Sequence, residues 1–165
     1  MFDEFNGLPT HALALHAAVV LVPLAAALGI LFAVPRTRAW SRVPLLLVSL
    51  GAVGAVYVAK ESGQKLEEVI YANLGAATQN LIDQHAGRAN VLFNLTIAYA
   101  VVAVAAFLLT RTSTRNSLLT IGLSVLLVLG AAGVAFQSYR VGDVGARAVW
   151  NPTGDIDYGS SSAED

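Results

Sequence analysis

The chain contains no cysteine, and only 13% of its 165 residues are charged. Without cysteine there are no disulfides, no thiolate-held zinc, no cysteine-ligated iron–sulfur cluster and no covalently attached c-type haem. Soluble domains carry about 25% charge, and here the shortage is concentrated. Ala12–Val34, Val43–Ala59, Ala89–Leu109 and Leu118–Phe136 hold no Asp, Glu, Lys or Arg. A net charge of −1 and the lack of a basic patch give no case for nucleic-acid binding. No nucleophile elbow, catalytic triad, phosphate-cradling glycine loop or paired-carboxylate site occurs in a fitting context, so nothing marks the chain as an enzyme.

What fills the space is apolar: 56% of the residues are hydrophobic. Each uncharged stretch is about 17 to 23 residues long, close to the ~20 needed to cross ~30 Å of hydrocarbon as a helix. Helices buried in a soluble bundle keep a polar face, whereas the second and fourth stretches are apolar all round. The predicted fold is an all-α integral membrane protein, a bundle of four transmembrane helices occupying residues 1–150. From Asn151 the chain turns polar and rich in Gly and Ser, which predicts a disordered tail over 151–165.

Charge in the connections predicts orientation. Met1–Thr10 is acidic and has no Lys or Arg, unlike the basic start of a signal peptide. Pro35–Arg42 holds Arg36, Arg38 and Arg42, and Thr110–Arg115 holds Arg111 and Arg115, both without an acid. The positive-inside rule places these two connections in the cytoplasm and both termini outside. Thr10 is a candidate N-cap of the first helix, and Pro23 is expected to kink it.

The outer segment Glu61–Arg88 repeats Leu66, Val69, Ile70, Leu74, Ala77 and Leu81 at helical spacing, which predicts an amphipathic outer helical segment. Extended one step, the run reaches His85. Asn90 and Asn94 are expected to face the bundle, because amides within spans hydrogen-bond across helices. The pairs Ala25/Gly29, Gly51/Ala55 and Ala131/Ala135 would allow close helix approach.

Several of these stretches resemble a bacterial family of four-helix membrane proteins known only as a domain of unknown function. LPTHALALHAAVVLVPLAA is similar to its two-histidine first-helix signature. SGQKLEEVI with IDQHAG is similar to its outer segment, and VGDVGARAVW to its closing motif. The likeness runs from Leu8 to Trp150. Asp143 stands where the family often has histidine, so no metal ligand is expected from the tail. Some members are joined to Rieske-type domains, which implies redox work in a bacterial inner membrane.

All three histidines fall on the outer side. His11 and His16 are separated by about 140° and ~7.5 Å of rise on a regular helix, so they do not share one metal. His16 lies deeper and needs a partner more. The expectation is therefore a metal or haem b held by His16 and His85, with His11 nearby. Arg88, Arg140 and Arg147 are within reach of haem propionates. A membrane redox partner or a homo-oligomer would then accompany the lipid bilayer as partner. The alternative is an accessory membrane subunit without cofactor, its histidines satisfied locally. Transport ranks last, because His16 is the one ionisable group within the spans.

Overall fold

The computed structural model describes residues 4–111 and 118–157. It is an all-α four-helix bundle. Helix α1 runs Thr10–Ala33, α2 Arg38–Ile70, α3 Ala76–Thr110 and α4 Leu118–Trp150. All four are long and apolar enough to cross a membrane. Each neighbours the next in a closed square, α1 against α2 and α4, α3 against α2 and α4, so α1 and α3 lie on a diagonal.

The bundle is apolar on its outside. The most hydropathic windows have mean hydropathy 1.8–2.4, yet only 28–39% of those residues are buried. Val19, Val20, Leu47, Val101, Leu129 and Phe136 all project outward. Such a belt is stable only against hydrocarbon. The core is narrow and rich in alanine, with Phe32, Leu45 and Leu127 as its largest sealed apolar side chains. Several buried hydroxyls bond within their own helices, as Thr96 donates to the Leu92 carbonyl at 2.8 Å and Ser124 to that of Thr120 at 2.8 Å, while Ser49 Oγ has no partner among the described residues. Ala25 and Gly29 are buried where helices meet, while Gly51 faces out.

Helices α2, α3 and α4 have 33, 35 and 33 residues, about 50 Å each, so they extend beyond ~30 Å of hydrocarbon. The surplus lies at the end that carries the histidines. The amphipathic segment Glu61–Arg88 is helical there but divided. Helix α2 runs on to Ile70, Tyr71–Asn73 form a 3₁₀ turn, and α3 begins at Ala76. Apolar spacing marks the inward face of both pieces and cannot reveal the turn between them. Accordingly Leu66, Ile70 and Leu74 point inward, whereas Val69 is 74% exposed.

At the opposite end the arginines act as helix caps. Arg38 is buried and donates from Nε to the Phe32 carbonyl at 3.1 Å and from Nη2 to that of Ala33 at 3.1 Å. Arg42 donates to the Thr110 carbonyl at 2.7 Å. Helix C-termini leave carbonyls unpaired and carry partial negative charge, so a cation there is favoured. Arg36 and Arg111 are exposed; Arg115 lies outside the described residues, as does the tail from 158 onward.

Two local expectations change. Pro9, not Thr10, occupies the N-cap position of α1, and no side chain caps the helix. Before it, Glu4–Phe5 pairs with Leu8–Pro9 in a small hairpin, with Asn6 and Gly7 both at positive φ. That is the type I′ geometry an Asn-Gly dipeptide favours. Asn94 is exposed, and Asn90, also exposed, borders the cavity at the histidine end.

The two hairpins, α1–α2 and α3–α4, are built alike. Ala25 and Tyr99 are 74 residues apart, and the same shift carries the buried Val22, Ala26, Gly29 and Phe32 onto Thr96, Ala100, Ala103 and Ala106, all buried. A second constant shift carries Arg38, Ser41, Leu45, Ser49, Ala52, Ala59 and Ser62 of α2 onto Thr120, Leu123, Leu127, Ala131, Val134, Val141 and Val144 of α4, again all buried. This is a parallel repeat, with α1 and α3 running the same way about a shared axis.

Candidate functional site

At the extended end His11 of α1 meets His85 of α3 across the diagonal. Their ring centres are 6.3 Å apart and their planes lie at 87°. Each ring is held by the hairpin partner of its own helix. His11 Nδ1 donates to the Ala59 carbonyl of α2 at 2.8 Å, and His85 Nδ1 donates to the Val141 carbonyl of α4 at 3.1 Å. A carbonyl accepts only, so Nδ1 carries a proton in both rings, and in a neutral ring so held Nε2 keeps its lone pair. One turn beyond each carbonyl stands a glycine on which the ring rests. A Cβ on Gly63 would come within 3.0 Å of His11, and one on Gly145 within 3.0 Å of His85. Histidine, carbonyl and glycine thus recur at matching places in the two hairpins.

The expected partner of His85 was His16, and the structure replaces it with His11. His16 is exposed and turns its Nδ1 to the Ala12 carbonyl of its own helix at 2.7 Å. The reason is helical phase. Three turns of helix separate His11 from buried Val22, the same interval that separates His85 from buried Thr96, whereas His16 points about 120° away from that face. Depth in the span suggested His16; the direction of the buried face decides for His11.

The two rings border a cavity of about 430 Å³ that opens between α2 and α3. Its walls are largely apolar, including Leu15, Val56 and Leu92, with Lys60, Gln64, Glu67 and Asn90 as polar groups. Lys60 is half-buried, pairs with Glu61 at 3.2 Å and lies 6.0 Å over the Phe93 ring. A volume of this size suits a cofactor, since ligand pockets run from ~300 to 1,000 Å³. Arg88 and Arg140, expected beside the cofactor, do not line it; they sit on the far seam between α3 and α4. Arg147 pairs with Asp143 at 3.1 Å on the exposed side of α4.

His85 lies a turn ahead of the uncharged stretch of α3, outside the hydrocarbon-spanning part. Burial pushes its imidazolium below the ordinary histidine range; the Val141 hydrogen bond opposes this and the neighbouring His11 adds to it. A neutral ring is the ligating form.

Among the described residues no group of three or more His, Cys, Asp or Glu gathers to hold a metal ion. Structural zinc needs four ligands and catalytic zinc three. Two axial imidazoles meet the whole demand only of a metal that arrives with its equatorial ligands, as haem iron does. His11 and His85 are the residues that would hold such a group, their ring centres 6.3 Å apart. Two imidazoles that each donate through Nδ1 and leave Nε2 over are a donor pair of the kind a haem takes. No protein-family model, curated protein or solved structure matches the chain, and the site's chemistry is read from its geometry.

Proposed function

We propose that the protein is a membrane electron-transfer subunit that holds a haem b between His11 and His85, at the outer end of a bacterial inner-membrane bundle with both termini outside. The observation that carries this reading is the pair itself: two imidazoles on diagonal helices, 6.3 Å apart, each fixed by a separate backbone carbonyl with Nε2 left over. Metal-bound histidines regularly donate their other ring nitrogen to such an acceptor, which fixes tautomer and orientation. Haem bound there supplies one-electron oxidation and reduction at its iron. The chain's own contribution is to present two neutral imidazoles and to keep water from them with Leu15, Val56 and Leu92. Lys60 is the cation nearest the cavity for a carboxylate of the macrocycle. The outward placement of this end is supported by the exposed Arg36 and Arg111 at the other end.

A second reading has its own support. Ring centres at 6.3 Å and planes at 87° also describe an edge-to-face ring pair, as in an accessory subunit that uses the histidines only to tie α1 to α3. Absorption spectroscopy separates the two. Detergent-purified protein supplemented with hemin should show the Soret and α bands of a low-spin bis-imidazole haem. His11→Ala and His85→Ala should each lose them, and His16→Ala should keep them. Wild-type protein without a Soret band after supplementation would leave the accessory reading standing.

A further inference from the structure

Arg88 and Arg140 border a shallow groove of about 370 Å³ on the surface seam of α3 and α4, together with Gln84, Gly87, Val91 and Gln137. Two hydrogen bonds close the floor of the seam: Arg88 Nη1 donates to the Arg140 carbonyl at 3.1 Å, and Gln137 Nε2 donates to the Arg88 carbonyl at 2.9 Å. Arg88 keeps four further N–H donors. The Arg140 guanidinium lies 5.8 Å over the Phe136 ring and makes no side-chain hydrogen bond among the described residues. No carboxylate lines the groove, and neither arginine has an acidic partner among the described residues.

The groove has a definite depth. Arg88 directly precedes the uncharged stretch of α3, and Arg140 follows that of α4 by one turn. Both guanidiniums therefore sit where the hydrocarbon ends and headgroups begin, with Val91 and Phe136 on the hydrocarbon side. Interfacial arginines commonly snorkel without a specific ligand, so the repeat supplies the needed control. The shifts that relate the two hairpins place Ala14 and Val58 where Arg88 and Arg140 stand, and Ala55 where Gln137 stands. The first hairpin keeps the same packing with no charge or amide on this face. The two arginines are thus not required by the scaffold, and they accumulate uncompensated positive charge on one seam only.

We propose that this groove binds the phosphate of an anionic phospholipid, with the acyl chains descending along Val91 and Phe136. A phosphate diester accepts from both guanidiniums and from the Gln84 amide. The absence of a lining carboxylate leaves nothing to receive the cationic headgroup of a zwitterionic lipid. This site is independent of the haem reading.

The test uses the full chain in detergent, titrated with phosphatidylglycerol, with phosphatidylcholine and with inorganic phosphate, read by native mass spectrometry and thermal stability. Phosphatidylglycerol should bind and raise the melting temperature, and the other two should not. Arg140→Gln should weaken phosphatidylglycerol binding about fivefold, the loss of one cation at a membrane surface. Arg140→Lys should retain most of it, and Arg147→Gln, outside the groove, should change nothing. Equal binding of the two lipids overturns the proposal, as does an unchanged affinity in Arg140→Gln of wild-type helicity. Protection by inorganic phosphate equal to that by phosphatidylglycerol assigns the groove to the free ion and also overturns it. If Arg140→Gln does not fold, Arg88→Gln takes its place: weaker phosphatidylglycerol binding while Arg147→Gln keeps it supports the site, and an affinity no different from that of Arg147→Gln overturns it.

Discussion

The first hairpin and the second bury the same positions, yet they differ where they meet. On the diagonal between α1 and α3, two buried pairs related by the repeat combine one large side chain with one small. Tyr99 is opposite Ala25, and its hydroxyl donates to the carbonyl of that very residue at 3.0 Å. Phe32 and Ala106 show the opposite choice, the large residue now in the first hairpin and both fully buried. Not every pair follows this one-large-residue rule: Leu45 and Leu127, related by the repeat of α2 and α4, are both fully buried. His11 and His85 are both large, both kept, and both housed on glycines. What sets the histidines apart is the glycine under each ring. The seam arginines differ in another way: they appear in one hairpin with no counterpart, and the bundle interior makes no use of their charge.

The comparison can be broken most severely at the histidines. If the two rings are equivalent ligands, His11→Ala and His85→Ala should abolish hemin binding equally; a variant that retains full binding would show that the symmetry is only one of packing. Next in size is the axis. A Cβ on Gly29 would overlap the Tyr99 hydroxyl, and one on Gly130 would come within 2.8 Å of the Tyr99 ring. Gly29→Ala should cost about 1–3 kcal/mol through overpacking, seen as a lower melting temperature in detergent. Adding Tyr99→Phe should recover much of that loss, because the overlapping atom is removed. A Gly29→Ala protein as stable as wild type would contradict the one-large-residue rule.

The glycines under the rings come third. Gly63→Ala and Gly145→Ala push the imidazoles off their carbonyls and should each weaken hemin affinity about tenfold, the scale of losing an orienting partner. Unequal effects would show that one hairpin dominates the site. Smaller still is the response to pH. The folded state holds His85 below its ordinary value, so the unfolded chain takes up that proton first. Stability should be flat above about pH 6.5 and decline as pH falls through it. His85→Gln should flatten that decline, measured by melting temperature against pH. The least effect belongs to His16→Ala, within about 0.5 kcal/mol for an exposed side chain.

Much of the site was legible in outline. Both residues of the pair stand among the three histidines, and phase alone selects His11, since it lies on the face of Leu15, Ala18 and Val22. The repeat also leaves a trace: Ala59–Gly63 (AKESG) and Val141–Gly145 (VGDVG) share an acid two positions on and a glycine four positions on. What no local pattern carries is the diagonal. Which residues of α1 look at which of α3 depends on how α2 and α4 hold them apart, and the helices between contribute no periodic mark to either sequence.

The sequence by itself determined four apolar helices and the end at which histidine gathers. Hydrocarbon needs ~20 uncharged residues per crossing, and helical spacing repeats every turn, so both are local properties of the chain. Only the tertiary structure decided that His11 meets His85, that Arg88 and Arg140 belong to a surface seam, and that Arg38 and Arg42 close helix ends. Those outcomes depend on distances between residues far apart in the chain. They are set by how closely alanine and glycine let the four helices approach.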